Sequence, residues 1–547
     1  MEYLMRNVLF VLLCFVSVVA RGNDGDVFTA QTEEGIEVTF KVINEAEKIV
    51  QVGKGPGVWY DPWGNPMVLE QPVLPYDYNI ESITIPSEVN GYRVSYIAPT
   101  SFCSVKMKNV VLPESLDSIG FSAFERCINL QTINLPQKLK IIRKYLFRGC
   151  TSLENIVLPE GVESIEWYAF ENCSNLKQIT LPSTLKTINN DTFVNCSSLL
   201  SITLPEELEY LGRSAFKGCN SLKSVYIPSK VGDITSNPFI NCSGLESIVV
   251  SPDNPYLDSR ENCNAIIRTS SNCLISGCKN TVIPESVEEM QEAFRGCEGL
   301  TSIYIPKGIK RLWGCGTNFE GCTNLESIIV SPENPYYDSR ENCNAIINSE
   351  YDDLELGCKS STIPSNIIGI ADRAFWGCYG LEEIIIPDNI IYLGETTFSE
   401  CINLKKVRLP EGLTNIYRMT FQHCSSLEDI NIPESVTTIG EYAFNGCTSL
   451  KSINLPEGLE NIEHAAFISC DNLEQIIIPS GVKTIGKAAF QCDNLRTIVS
   501  YINAPIDIDQ EAFSSNIRNQ IHPEKSIYHL ATLYVPKGRS EEHTSEL

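Results

Sequence analysis

Phenylalanine recurs every 23 residues over most of this 547-residue chain. The regular positions are Phe124, Phe147, Phe170, Phe193, Phe216 and Phe239, and then every such position from Phe375 to Phe513. Each lies in the same frame, as in 444-FNGCTSLKSINLPEGLENIEHAAF-467. A fixed period of this length predicts a solenoid, in which each repeat is one coil that buries its apolar face against its neighbours. Solenoids mostly present surfaces, so the pattern favours binding over chemical reaction.

The charge balance disfavours one class of partner. The 68 acidic residues outnumber the 42 basic ones, which gives a formal net charge of -26 at pH 7. Such a surface repels phosphate backbones, so we do not expect nucleic-acid binding. A hydrophobic fraction of 43% is that of a folded chain.

The first 20 residues have the pattern of a secretory signal peptide. Arg6 supplies a positive charge, Val8 to Ala20 form an apolar run, and Val18 and Ala20 give a small-residue cleavage site. The run is short for a membrane-spanning helix, which is the alternative interpretation. Cys14 suggests a lipoprotein, but Leu13 before it is larger than that processing favours. We therefore expect an exported chain with no transmembrane segment once processed.

One coil can be interpreted residue by residue from Phe444. Cys447 and Leu450 point inward, and Ile453 and Leu455 then alternate with exposed polar residues. This period of two predicts a short strand with one buried face. Pro456 ends the strand because it has no N–H for a further ladder bond. Stacked coils are expected to pair these strands in parallel.

Most of the 22 cysteines belong to the repeat. Thirteen follow the recurring Phe by three residues: Cys127, Cys150, Cys173, Cys196, Cys219, Cys242, Cys297, Cys322, Cys378, Cys401, Cys424, Cys447 and Cys470. Equivalent side chains in stacked coils point the same way, so we expect a ladder of buried free thiols acting as small hydrophobes. A zinc site is the alternative, but the clustered pairs of such a site are missing from this column.

The frame L-x-x-I-x-L-P-x-x-L-x-x-I-G-x-x-A-F-x-G-C, as in Leu427 to Cys447 with Asn431, Ile432 and Pro433 inside it, resembles the BspA-like leucine-rich repeat proteins common on Bacteroidetes surfaces. The resemblance runs from about Ile83 to Phe513 and includes sixteen Phe-centred coils. It implies an α/β leucine-rich-repeat solenoid of mostly short β-strands with short helical or 3-10 turns, and a β-rich N-terminal cap. It also implies a non-enzymatic surface protein.

The expected divisions follow. Residues 1–20 are the signal peptide, 21–80 the cap, 81–513 the solenoid and 514–538 a divergent C-terminal coil. Residues 539–547 (RSEEHTSEL) match the translation of a common sequencing adapter, and we interpret them as an artefact of a truncated gene. The cap region contains Trp59, Tyr60 and Trp63. These aromatics suit either packing or sugar stacking, and we favour packing.

Two longer coils, 251–284 and 331–364, repeat each other at a shift of 80 residues. Ala265–Ile267 and Leu274–Ile275 predict a hairpin around Ser270 and Ser271. A two-residue turn there would set Cys263 opposite Cys278, and in the second copy Cys343 opposite Cys358. We hypothesise a cross-strand disulfide in each pair. Asp253, Asn254, Asp258 and Asn262 suggest calcium, although turn formation is the favoured interpretation because their spacing fits no known loop.

No residues of this chain form an obvious catalytic constellation. The histidines (His423, His464, His522, His529 and His543) are scattered without metal spacing or a nucleophile motif. We therefore expect no enzymatic activity and no cofactor.

The outer column of the predicted strands is the best candidate for a binding surface. It varies between coils while the inner columns hardly change, which is what a binding surface on a rigid frame requires. The candidates are Tyr226, Tyr304, Ile329, Ile385, Arg408, Asn431 and Asn454. These residue types also simply stabilise exposed strands, which is the alternative. The resemblance implies an exported adhesin that binds extracellular proteins of the host matrix or of other bacteria. The alternative is a structural or glycan-binding surface component, with Trp59 and Trp63 as the sugar platform.

Overall fold

The computed structural model describes residues 23–54, 57–60, 66–69, 73–74, 78–232, 234–502, 506–508, 512 and 532–534. The chain divides into two compact units, Met1–Ile188 and Asn189–Leu547. In both units, one repeat forms one coil with two short strands. We call the strand before the recurring proline the front strand, and the strand after it the back strand.

Front strands form because buried and exposed residues alternate over three or four positions. In Gln475–Ile478, the two buried residues are Ile476 and Ile478, and Pro479 follows. Front strands pair in parallel with those of neighbouring coils. In the first unit they are Asn79–Thr84, Lys106–Val111, Thr132–Ile133, Asn155–Val157 and Gln178–Thr180. In the second unit they are Ser224–Ile227, Ser247–Val250, Ser302–Ile305, Ser327–Val330, Glu383–Ile385, Lys406–Arg408, Asp429–Ile430, Gln475–Ile478, Thr497–Ser500 and Thr532–Tyr534.

Back strands are mostly two residues long, and nearly all of them bury one apolar side chain. Thr438–Ile439, for example, pairs in parallel with Asn461–Ile462 and buries Ile439. Those of the first unit are Ser118–Ile119, Ile141–Ile142, Ser164–Ile165 and Thr187–Ile188. Those of the second unit are Tyr210–Leu211, Glu289–Gln291, Arg311–Trp313, Gly369–Ile370, Tyr392–Leu393, Asn415–Ile416, Thr438–Ile439, Asn461–Ile462, Thr484–Ile485 and Asp507–Ile508. The sequence analysis predicted only the front strands, so these back strands are a new finding.

The recurring phenylalanines form a stack through the turn between coils. Phe444 and Phe467 are both fully buried, with ring centroids 5.2 Å apart and ring planes inclined by 1°. Stacked aromatic rings of this kind stabilise a fold by more than the burial of their apolar surface alone accounts for. Each coil therefore positions the Phe of the next.

The ladder cysteines are free thiols, all buried except the half-buried Cys378, and most of them donate hydrogen bonds. The Cys424 thiol donates to the Phe398 carbonyl at 3.1 Å, and the Cys447 thiol to the Phe421 carbonyl at 3.2 Å. Burial raises the pKa of Cys173 to about 12, so this thiol stays protonated at neutral pH. All described cysteines are free thiols. The expectation of small buried hydrophobes was incomplete, because thiols such as these also link one coil to the preceding one.

The N-terminal strands of the first unit continue its sheets. Val27–Gln31, Glu37–Asn44 and Ile49–Val52 pair antiparallel in that order, and Ile49–Val52 pairs in parallel with Tyr92–Ile97. Two further antiparallel pairs are Glu88–Val89 with Tyr92–Ile97, and Gly57–Tyr60 with Pro66–Leu69.

Each long coil inserts antiparallel strands into the back sheet. The first adds Leu257–Asp258, Ala265–Arg268 and Cys273–Gly277, and the second adds Tyr337–Asp338, Ile346–Asn348 and Asp353–Leu356. The insertion does not add another turn of the kind that contains the recurring Phe. Asn241 N–H donates to Arg295 O at 3.1 Å, which shows that the turns before and after the insertion stack directly on each other. A side chain at Gly277 would come within 2.5 Å of the Phe294 ring, which explains the glycine.

Regular helix is scarce in the described part of the chain. It consists of the 3-10 turns Arg260–Asn262 and Arg340–Asn342 and the α-helix Cys315–Asn318. The fold is a leucine-rich-repeat solenoid built from strands and turns. The α/β description in the sequence analysis overstated its helical content, because the polar turns that follow each Phe close without forming helix.

Candidate functional site

All seven candidate binding residues are exposed in the second unit, five on front strands and two, Asn431 and Asn454, in an isolated parallel bridge at the equivalent position. Tyr226 and Tyr304 are 44% and 45% exposed, and Ile329 and Ile385 are 54% and 68% exposed. Arg408, Asn431 and Asn454 are exposed as well. Their role in binding stays a prediction.

The apolar members have apolar or long neighbours in register. Tyr226 lies beside Val249, Tyr304 beside Ile329, and Ile385 beside Arg408. Side chains directly opposite each other on one sheet face are in contact distance. Two of these three pairs are apolar, and the third sets an isoleucine beside the arginine stem.

Arg408 is engaged within the chain. Its guanidinium donates to both Asp388 oxygens, at 2.9 and 2.8 Å, and to the Ile386 carbonyl at 3.3 Å. The hydrogen bond from Arg408 lowers the pKa of Asp388. A partner that used Arg408 would therefore have to accommodate or break this exposed ion pair.

The charged columns beside the front strands form ion pairs between coils. Lys177 lies 2.9 Å from Glu154, and Lys223 lies 3.7 Å from Glu246. These pairs are solvent-exposed, so water and salt screen their charges and they contribute little to stability. They are weak candidates for recognition.

A hollow of about 690 Å³ lies on the front side of the second long coil. It is bordered by front strand Ser327–Val330 with Ser331 and Pro332, and by the loop that carries Asp338, Ser339, Arg340, Asn342 and Asn344. This volume is in the range of pockets that bind small ligands or side chains. The sequence analysis recognised the long coil and missed the hollow. The signal was available, because ten of the eleven lining residues recur 80 positions earlier and only Ile329 is replaced, by Val249.

An ion pair holds the loop beside the hollow. Arg340 donates to Asp338 Oδ2 at 2.6 Å and to Asp352 Oδ1 at 2.7 Å. Burial alone would raise the pKa of Asp338, but hydrogen bonds from Arg340 and Ser349 lower it overall. The paired charges leave this wall of the hollow close to neutral.

Two of the four residues considered for calcium, Asn254 and Asp258, have internal side-chain partners. Asn254 Nδ2 donates to the carbonyls of Pro228 and Val231, both at 2.9 Å, and Asp258 binds Arg260. Among the described residues, no group of three or more His, Cys, Asp or Glu side chains could hold a metal ion. The asparagine braces one coil against the previous one.

The cysteine pairs of the long coils lie in a register that differs from the prediction. A bulge between Ile266 and Ile267 sets Ala265 opposite Gly277, which aligns Asn264, and not Cys263, with Cys278. The Cys278 thiol instead contacts the Asn264 carbonyl at 3.5 Å, and the second copy has the same bulge between Ile346 and Ile347. Cys263, Cys278, Cys343 and Cys358 are all buried free thiols. The two disulfides stay a prediction, but the predicted register that motivated them is wrong.

A second hollow, of about 510 Å³, lies beside the helix Cys315–Asn318. Asp353, Glu355, Arg373 and Arg418 are among its lining residues. Burial raises the pKa of Glu355, which also accepts a hydrogen bond from Asn348 at 3.1 Å. Carboxylates and guanidinium groups both line it, so it has no single charge preference.

The remaining candidates do not converge. His423 contacts Glu400 at 2.6 Å and His464 contacts Tyr442 at 2.8 Å, in different coils. The other three histidines and Trp63 lie outside the described residues. For Trp59 and Tyr60 the structure describes only the strand Gly57–Tyr60.

The repeating coil with its buried Leu, Ile, Phe and Cys positions defines a leucine-rich-repeat protein, a repeat class that uses extended surfaces to bind other proteins. The family description "BspA type Leucine rich repeat region (6 copies)" matches residues 75–199, 164–276, 266–350, 344–444 and 414–532. The chain belongs to this family. No curated protein sequence matches the chain.

Several solved structures are similar. A leucine-rich repeat protein from Bacteroides ovatus shares 24% identity, with 93% of this chain and 100% of that one covered and a TM-score of 0.37. A leucine rich cell surface protein from Faecalibacterium prausnitzii shares 21% identity, with 87% and 95% covered and a TM-score of 0.36. The pneumococcal vaccine antigen PcpA shares 16% identity, with 94% and 95% covered and a TM-score of 0.34. No helix in the described part of the chain is long and apolar enough to cross a membrane.

Proposed function

We propose that the chain is an exported cell-surface protein that binds extracellular proteins, on the host matrix or on other bacteria, through the front sheet of its second unit. The observation that carries this proposal is the series of exposed apolar side chains from Tyr226 to Ile385 on front strands whose inward side chains are buried. Exposed tyrosines on rigid strands are favoured as interface hot spots. The apolar leader at residues 1–20 supports export.

The other parts of the chain have supporting roles in this proposal. The N-terminal strands, residues 21–80 in the sequence analysis, cap the first coils, because an open edge would otherwise be free to pair with other chains. The absence of a convergent catalytic constellation in the sequence supports a binding role without enzymatic activity.

Binding to immobilised fibronectin, fibrinogen, collagen and a glycan array tests the proposal. The test variant is the double change Tyr226→Ala with Tyr304→Ala. The matched control is Tyr210→Ala with Tyr392→Ala, since these tyrosines are 45% and 38% exposed on back strands. We expect saturable binding to a protein that the front variant weakens at least about tenfold and the back variant leaves unchanged.

Three results would contradict the proposal. Equal loss in the front and back variants would remove the front sheet as the site. Retention of full affinity in the front variant would do the same. Binding to glycans without binding to any protein would favour the structural or glycan-handling alternative.

A further inference from the structure

The front strand that borders the hollow is the edge of its sheet. Ser327–Val330 pairs in parallel with Ser302–Ile305, and this sheet has only two strands. Ser331 N–H donates back to Ile305 O at 2.9 Å. Successive residues of a strand direct their main-chain groups to opposite sides. Ile328 and Val330 therefore direct theirs away from Ser302–Ile305, toward the hollow.

In an ordinary coil the next front strand takes these groups. Leu158, the counterpart of Val330, donates its N–H to Thr180 O at 3.0 Å, and Ile386 donates to Arg408 O at 3.0 Å. Next to Ser327–Val330 the long coil has a loop instead of a strand. Glu341 and Asn342 in this loop have φ of 57° and 51° and lead the chain away from the sheet.

Asn344 occupies part of the vacant strand position. Its Oδ1 accepts from Ile328 N–H at 2.6 Å, and its Nδ2 donates to Glu326 O at 2.6 Å. The N–H and C=O groups of one residue in a parallel neighbouring strand would make the same two bonds. The side chain thus imitates the main chain of one residue, and the edge beyond it, at Ile328 O and Val330 N–H, borders the hollow.

The first long coil caps a different N–H group of its edge strand. There Val250 N–H donates to Ser259 Oγ at 3.0 Å. The serine hydroxyl donates to an alanine carbonyl in both copies, from Ser259 to Ala265 O at 2.7 Å and from Ser339 to Ala345 O at 2.6 Å. In the second copy the asparagine caps Ile328 N–H instead, and among the described residues no side chain accepts a hydrogen bond from Val330 N–H.

We propose that the hollow receives an extended segment of a partner polypeptide, which adds as a strand to the edge of Ser327–Val330 and hydrogen-bonds Ile328 O and Val330 N–H. The proposal rests on the proposed protein-binding function and gives its mode of contact. Alternating N–H and C=O groups at strand spacing are matched by another main chain, which is the chemistry of β-strand addition. Ile329 is 54% exposed on the same strand and would contact the nearest side chains of the added segment that lie on the same face of the sheet.

A phage-displayed library of random 12-residue peptides, selected on the purified full-length chain, supplies the probe. We expect enriched peptides with apolar residues at alternate positions. A synthetic enriched peptide should slow amide hydrogen exchange in the segment 326–331. Two series of this peptide are then made, one N-methylated at the odd-numbered residues and one at the even-numbered residues. One series should lose binding and the other should keep it, because only every second N–H of an added strand faces the edge.

The protein-side variant is Ile329→Lys, and its matched control is Ile477→Lys. Ile477 is a front-strand isoleucine, 42% exposed, whose strand is paired with the following one, Thr497–Ser500. We expect at least about tenfold weaker peptide binding in the first variant and no change in the second.

Failure to enrich any peptide would overturn the proposal, as would equal binding by both N-methylated series, protection outside the segment 326–331, or equal loss in the two lysine variants. Oligosaccharide binding that slows exchange in the same segment would overturn it in favour of a glycan site. If the front tyrosine variant loses its protein ligand while no peptide is enriched, the proposed function stands and strand addition falls. If neither binding is seen, both fall.

Discussion

Asn334 provides the most direct test of how the long coils are fixed to the solenoid. Its side chain is 8% exposed and makes four hydrogen bonds. Nδ2 donates to the carbonyls of Pro306 and Ile309 at 2.8 and 3.0 Å. Oδ1 accepts from the N–H groups of Tyr336 and Tyr337 at 2.8 and 2.9 Å. The amide therefore joins the turn of the long coil to the turn of the preceding one.

The cost of Asn334→Ala follows from these four bonds. A neutral hydrogen bond contributes about 0.5–1.5 kcal/mol, and a buried polar group left without a partner costs about 1–3 kcal/mol. Water can reach some of these groups after truncation, so we expect a loss of about 3–5 kcal/mol in the free energy of unfolding. Asn454→Ala is the matched control, since Asn454 is exposed in an isolated parallel bridge with Asn431, and should change the free energy of unfolding by less than about 0.5 kcal/mol.

Asn334→Asp adds a pH dependence of known sign. The ionised carboxylate would face two carbonyl oxygens, so the pKa of the new acid should be raised in the folded state. A raised folded pKa means that stability is retained at low pH and lost as the pH rises from the unfolded pKa, about 3.9, through the folded value. We therefore expect this variant to be much less stable than the wild type at pH 7 and closer to it near pH 4.

Urea unfolding followed by circular dichroism measures these differences, with unchanged slopes required for a comparison of midpoints. The reasoning would be refuted if Asn334→Ala unfolded at the same urea concentration as Asn454→Ala. It would also be refuted if Asn334→Asp were equally destabilised at pH 4 and pH 7.

Three further outcomes are expected. Phe421→Ala should lower the free energy of unfolding by about 3–5 kcal/mol, because this fully buried ring stacks on Phe398 and Phe444 with centroids 5.6 and 5.3 Å away. Urea unfolding that shows a smaller loss for Phe421→Ala than for the exposed Tyr304→Ala would contradict this prediction. In the folded protein, iodoacetamide should modify Cys378 before the other described cysteines, because it alone among them is partly exposed. The reaction should still be slow, since burial raises the pKa of Cys378 to about 12. Mass spectrometry that finds a fully buried thiol such as Cys424 modified first would contradict this prediction. Asp338→Asn should lower stability at pH 7, and its effect should shrink as the pH falls below the unfolded pKa, about 3.9, toward the lowered folded pKa of Asp338, because the stabilisation by Arg340 is lost when the carboxylate is protonated. Thermal unfolding that shows the same deficit at pH 7 and at acid pH would show that the Arg340 pair is not responsible.

The front strands and the buried columns could be predicted from the sequence because their signals are local and repeated. Ile476 and Ile478 alternate with exposed residues, and a proline ends the strand. The back strands could not, since two residues such as Thr438–Ile439 are too few to show a period. Their pairing depends on the stacking of whole coils, which no short window reveals.

The errors at the long coils have a different origin. A single bulge at Ile266 and Ile267 changes which residue lies opposite Cys278, and nothing in the hairpin sequence marks it. The outward position of Arg408 was predicted, but its ion pair with Asp388, 20 residues earlier, depends on the spacing of adjacent coils. Asn344 is indistinguishable from an ordinary turn residue until its contacts with Ile328 and Glu326 are known.

The 80-residue spacing of the long coils has a consequence for how such a chain can grow. Front strands Ser247–Val250 and Ser327–Val330 both begin with Ser-Ile and both lead into Ser-Pro, so the two ends of the intervening stretch present the same junction to their neighbours. Another copy of this stretch could be spliced in at that junction with the strand-to-turn sequence kept on both sides. Gene duplication would then add docking positions one cassette at a time, and the number of such positions would be set by recombination, independently of the evolution of any single coil.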